Sequence, residues 1–281
     1  MTRPEQTRPE QTGPEQTGPE TPRRGLIVGT SHCAALRLAS KAWPADWPGM
    51  AIDFAALQGD LAEFQVAGQT LTVRTDAARD KLRELSGQSE FDLTAYDFVA
   101  VCGGTPSTFH AARLYAVARW PGLPSVVAAP LTRPGVTLVS QRCFELALTG
   151  IIRSAPAFTL LDQIRGATAA RRFVIPHPAL SRLVLTQTRQ HQGFVQIHRC
   201  GDAQALTDML DQAAEAACGD LATCLRPPPE VRKDHFFTHP QFHRGATRLG
   251  AQDNLPQPPE DYLHGNAAYG RHILSALHAA L

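Results

Sequence analysis

Two hydrophobic rhythms alternate along this chain. Short, nearly continuous apolar runs occupy residues 26–28 (Leu26, Ile27, Val28), 50–57, 96–102 and 172–176. Runs of this length read as strands buried on both faces. Between them, apolar residues recur three and four apart, predicting helices over a segment beginning near Ala34, then 77–85, 108–120, 203–217 and 266–281. Residues 144–164 read as one long apolar helix, bent or split by Gly150 and Pro156. Shorter strands are expected at 69–74, as a hairpin or edge strand, and at 136–139; residues 221–225 are a short strand or the continuation of the preceding helix. Trp43-Pro44, Gly103-Gly104 and Pro121-Gly122 punctuate these elements. Strands alternating with helices argue an α/β fold with a parallel sheet covered on both faces, joined by right-handed crossovers.

Two stretches break the rhythm. Residues 2–22 repeat Thr-Arg-Pro-Glu-Gln twice, then its glycine variants Thr-Gly-Pro-Glu-Gln and Thr-Gly-Pro-Glu. Proline in every unit and the lack of apolar residues predict a disordered tail. Residues 1–23 are therefore assigned to the tail and 24–281 to one folded domain. Residues 227–259 show little periodicity, and a loop of that length in a compact domain is usually functional or disordered.

Composition narrows the function classes. The formal net charge is +1, with basic residues dispersed, so a nucleic-acid footprint and a polybasic membrane patch are not expected. No apolar run approaches the roughly 20 residues that span a bilayer. The polar N-terminus lacks a signal peptide's apolar core, which predicts a soluble, cytoplasmic protein. Cys33, Cys102, Cys143, Cys200, Cys218 and Cys224 form neither a disulfide framework nor a metal knuckle and read as reduced thiols. Cys218 and Cys224 are the nearest pair.

The first apolar run ends in Gly29-Thr30-Ser31-His32-Cys33 and passes into a helix. In an open α/β sheet, sites form at such carboxyl-end junctions, where helix N-termini also present free N–H groups. Ser31 there reads either as a helix cap or as a nucleophile. Near the other end stands Asp261-Tyr262-Leu263-His264, just before the last predicted helix. Taken alone, Asp261 reads as a cap and His264 as a surface histidine.

Together, a Gly-x-Ser-His at the first strand–helix turn and an Asp-x-x-His before the last helix resemble the SGNH (GDSL-type) hydrolases, in the variant whose opening is Gly-x-Ser-His. The resemblance spans roughly residues 24–281, with its motifs at the two ends. It implies a three-layer α/β/α sandwich with about five parallel strands in flavodoxin-like order. It also implies a catalytic triad of Ser31, His264 and Asp261. A serine hydroxyl needs a base to take its proton; His264 supplies the base, and Asp261 accepts from its Nδ1–H and fixes the tautomer. Glu260 is the alternative acid. For the oxyanion, the resemblance implies the Ser31 N–H, Gly59 in Gln58-Gly59-Asp60, and an asparagine in the third motif. Here the chain departs, with Gly103-Gly104-Thr105-Pro106. Thr105 offers a hydroxyl but no amide, and loss of one oxyanion donor costs about 10²–10³ in rate. Ser107 is a second candidate donor.

The expected activity is hydrolysis of an ester, with a small-molecule or carbohydrate substrate, or transfer of the acyl group to a sugar hydroxyl. No metal or organic cofactor is required by this chemistry. The departure at Thr105 keeps a second reading open, an SGNH-fold binding or scaffold protein with weak or no activity. A nucleotide-binding flavodoxin-like module fits the sheet, but the chain has no Gly-x-Gly-x-x-Gly fingerprint. Cys33 reads as a packed first-turn residue, although a helix N-terminus lowers a thiol's pKa. His235, His239 and His243 recur every four residues, which on a helix would suit a metal; Pro240 interrupts the run and favours a solvated loop.

Overall fold

A computed structural model describes residues 22–129, 135–186, 191–252 and 254–281. Most of the expected tail therefore lies outside the described residues. A five-stranded parallel sheet forms the centre: β1 (Arg23–Gly29), β2 (Met50–Ala56), β3 (Phe98–Cys102), β4 (Arg171–Ile175) and β5 (Thr223–Cys224). Its order is β5-β4-β3-β1-β2, the doubly wound 2-1-3-4-5 arrangement. The register aligns Ala56, Gly29, Cys102 and Ile175 in one row, so four strands end level. The loops leaving that row carry the candidate site.

Alternation along the strands sends side chains to opposite faces. Ile27, Phe98, Ala100 and Phe173 share one core with helices α1 (Cys33–Ala42) and, from the other end of the chain, Tyr269, Ile273, Leu274 and Leu277 of a terminal helix. Leu26, Val28, Val99, Val101 and Val174 share the opposite core. That face is covered by α3 (Thr108–Val117), α4 (Gln141–Arg153), α5 (Pro156–Ala167), α6 (Gln192–Arg199) and α7 (Ala203–Cys218). Helix α2 (Asp76–Ser86) sends Leu82 to this core and Leu85 to the other, and α8 (Ala267–Ala280) is the terminal helix.

The break expected within 144–164 is present: the segment forms two helices bent by 65°. Pro156 opens α5, where its missing N–H costs nothing, whereas Gly150 sits inside α4 without breaking it. Helix α3 stops at Val117; Ala118–Arg119 then pairs with Thr137–Leu138, so the expected 136–139 strand lies outside the central sheet. The 69–74 segment joins a three-stranded antiparallel sheet of Phe64–Ala67, Thr70–Val73 and Phe91–Asp92. The 227–259 segment carries a short hairpin, Arg232–Lys233 with Phe237–Thr238, and buries Val231, Phe236, Phe237, Phe242 and Leu249. Among the described residues no single helix is long and apolar enough to cross a membrane. The bent α4–α5 pair has the length, but Phe144, Leu148, Phe158, Leu161 and Ile164 face the core.

Candidate active site

Ser31 follows β1 in the turn before α1. The residue that caps α1 by position is His32, whose side chain makes no capping bond. Ser31 Oγ instead lies 3.0 Å from His264 Nε2. His264 Nδ1 lies 3.2 and 3.1 Å from the two carboxylate oxygens of Asp261. Residues 233 positions apart in sequence thus meet in one line, Ser31–His264–Asp261. The Asp261 carboxylate also accepts from the backbone N–H of Leu263 at 3.2 Å and of His264 at 3.1 Å. Those bonds close the turn that aims His264 at the sheet. Asp261 does not cap the last helix; Asn266 does, accepting from Tyr269 N at 3.0 Å.

Asn266 also ties this turn to the long loop. Its Nδ2 donates to the carbonyls of Gln241 and Arg244, both at 2.8 Å, and its N–H donates to Phe242 O at 2.7 Å. Tyr262 adds a bond on the other side, its hydroxyl 2.7 Å from His191 Nε2. His264 is therefore held by both neighbours in sequence and by the 227–259 loop.

Ser31, Gly59 and Thr105 line one cavity of about 450 Å³, together with Leu61, Gly104, His110 and the start of α5. Gly59 follows β2, and its neighbour Gln58 donates to Leu249 O in the long loop. Asp60 spends a carboxylate oxygen on the Ala62 N–H. Thr105 is fully buried. Its N–H donates to Gly103 O at 3.0 Å, and its hydroxyl stands 3.5 Å from His110 Nδ1, a long contact. Ser107 is engaged as the cap of α3, accepting from Phe109 N. Among the described residues Asp60 lines this cavity and no Lys or Arg does.

Three further imidazoles gather around His264. The His32 ring stacks on the His264 ring, centroids 5.0 Å apart and planes within 24°. His177, two residues past the end of β4, meets His32 edge-on at 4.2 Å and has its Nδ1 2.7 Å from Pro178 O. His243 is buried in the long loop. Burial holds all three below the ordinary imidazole range. His177 is lowered to about 4 chiefly by desolvation, as is His243, which the backbones of His264 and Ala179 and the Asp261 carboxylate only partly offset. His32 lies well below, through burial and then through His177, His264 and His243. Asp261 feels burial, which raises its pKa, but the bonds from His264 and the two backbone N–H groups outweigh it and the net shift is downward.

The histidines expected every four residues do not share a helix. His239 caps a single turn, His235 sits at φ 63°, and only His243 reaches the site. Among the described residues no group of three or more His, Cys, Asp or Glu could hold a metal ion. Cys33 is buried in the first turn of α1, and the six cysteines are free thiols. Sequence reasoning missed His32, His110, His177 and His243 as site residues. His177 carried a legible signal, its place directly after a central strand; His243 carried none beyond its spacing. Compared with family models, curated proteins and solved structures, the chain finds no match.

Proposed function

We propose that this protein is a serine hydrolase of SGNH type that cleaves an ester through an acyl-enzyme. The observation that carries the reading is the Ser31–His264–Asp261 line, with 3.0 Å between nucleophile and base. Ser31 Oγ attacks the ester carbonyl carbon as its proton passes to His264 Nε2. The carbonyl electrons move onto the oxygen, which the Ser31 and Gly59 N–H groups and the Thr105 hydroxyl are assigned to receive. The C–O bond to the alcohol then breaks, and His264 returns the proton to the departing oxygen. Water, or a sugar hydroxyl in a transferase, repeats the sequence in reverse on the acyl-Ser31. Asp261 remains ionised and holds His264 in its tautomer throughout. Among the described residues the cavity lining carries one carboxylate, Asp60, and no Lys or Arg, which disfavours an anionic acyl group and favours an uncharged one on a small or carbohydrate alcohol. No metal or organic cofactor enters these steps, and a cytoplasmic setting agrees with the free thiols.

The test is labelling with a fluorophosphonate. Stoichiometric labelling that vanishes in Ser31→Ala supports the hydrolase. A folded wild-type protein that takes no label supports the second reading, an SGNH-fold binding protein. That reading draws on one observation: the position of the third oxyanion donor holds a fully buried threonine already close to His110.

A further inference from the structure

We propose that His32 is a positioning residue for the catalytic base, its flat neutral ring holding the His264 imidazole in line and stacking on the imidazolium formed during attack. This rests on the hydrolase reading and adds to it a residue outside the triad. The two rings are stacked, 5.0 Å between centroids and 24° between planes, which brings the His264 ring within cation–π range of the His32 face. The backbone leaves His32 little choice of place, because it directly follows the nucleophile in the same turn. Its other side is closed by His177, edge-on at 4.2 Å. From β3, Gly103 makes room for it: a Cβ there would stand 2.7 Å from Thr30 Oγ1 and 3.1 Å from His32 Cδ2. A side chain at 103 would crowd the ring.

The ring's chemistry suits the role. A cation over an aromatic face is attracted by the ring's quadrupole, more strongly where water is excluded. His264 carries a full positive charge only between proton uptake from Ser31 and proton return to the leaving oxygen. The stack therefore strengthens in the transition state relative to the ground state, which is what raises kcat. A charged His32 would do the opposite. Its burial, with His177, His264 and His243 as the other imidazoles acting on it, favours the neutral ring. Its Nδ1 is enclosed and has no hydrogen-bond partner among the described residues.

The experiment compares full-length wild type with His32→Phe, His32→Leu and His32→Ala on p-nitrophenyl acetate, with melting temperatures measured alongside. Phe keeps a flat face, Leu keeps bulk without one, and Ala keeps neither. The expected result is kcat within about threefold of wild type for Phe, and about tenfold lower for Leu and Ala, with KM unchanged in all three. Equal kcat for Leu and Phe would overturn the role of the ring face, as would an Ala variant matching wild type. Should Ala unfold, Phe against Leu still decides between face and bulk; should Phe or Leu unfold, His32→Tyr or His32→Met takes its place in that comparison. A wild-type protein that neither hydrolyses the ester nor takes the fluorophosphonate label at Ser31 would overturn the hydrolase reading itself, and this proposal with it.

Discussion

Gly270 of α8 packs against Ala35 of α1 so closely that a Cβ on Gly270 would stand 2.1 Å from the Ala35 carbonyl oxygen. The obstacle is backbone, so it cannot rotate away. Helix α1 begins two residues after Ser31, and α8 begins three residues after His264. The contact that brings the two ends of the chain together therefore also sets the spacing of Ser31 and His264.

Gly270→Ala should accordingly lower both stability and activity. Overpacking a tight contact costs typically 1–3 kcal/mol, and relief by separating α1 from α8 would lengthen the 3.0 Å Ser31–His264 distance. Thermal unfolding and the rate of fluorophosphonate labelling are the measurements. A variant with wild-type melting temperature and labelling rate would show that the contact is looser than the structure has it.

The Asp261 carboxylate serves three donors at once, so its removal has two separable effects. Asp261→Asn should lower kcat by about 10²–10⁴, because the amide can present N–H to His264 and favour the wrong tautomer. The second effect is on pH dependence. The folded pKa is lowered, so this group's contribution to stability is full above the unfolded value near 4 and is lost as pH falls through the folded value. Urea midpoints between pH 5 and 2 should fall less steeply for Asp261→Asn than for wild type. Parallel curves would mean that Asp261 is not held ionised by the fold.

His177 and His243 act in the same direction as Asp261, but over a higher pH window. Both are lowered to about 4 by burial, whereas the unfolded imidazole takes up its proton near 6.5. Between those values the unfolded state binds more protons, so stability drops as pH falls from about 6.5 to about 4 and levels below. For buried His243 the effect is on the order of 2–3 kcal/mol. His243→Gln should flatten the slope of unfolding free energy against pH across this window, whatever it does to the level at pH 8. An unchanged slope would place the pH sensitivity elsewhere.

The central architecture was legible because its signals are local. Leu26-Ile27-Val28 and 96–102 are apolar runs too dense for a one-sided strand, and the strands lie where those runs lie. Ser31 and Asp261-x-x-His264 were legible as residue types at strand and helix boundaries. What was not legible depends on contacts across the chain. The parallel stack of His32 on His264 follows from where the last turn docks, which no spacing records. His243 lies in a segment whose buried residues, Val231, Phe236, Phe237, Phe242 and Leu249, have neither period 2 nor 3.6. Pro156 marked a helix start by a local steric rule; Gly150 was a weaker signal, since a helix interior tolerates glycine at about 1 kcal/mol.

Thr105 gives the sharpest test of the proposed chemistry. Thr105 lines the cavity that holds Ser31 and Gly59, but its N–H is already bonded to Gly103 O. Only its hydroxyl is left to serve an oxyanion, and the long 3.5 Å contact to His110 is weak enough to give up. Thr105→Val keeps the shape of the side chain and removes that donor. It should lower kcat by about 10²–10³ while KM moves little, since the bond is needed only as charge develops on the carbonyl oxygen. Melting temperature should stay near the wild-type value, because the fully buried methyl groups fill the same space. The decisive comparison is kcat on p-nitrophenyl acetate for wild type, Thr105→Val and Ser31→Ala, the last setting the background. If Thr105→Val matches wild type while Ser31→Ala is silent, the hydroxyl holds no oxyanion, and the backbone N–H groups of Ser31 and Gly59 carry that charge alone.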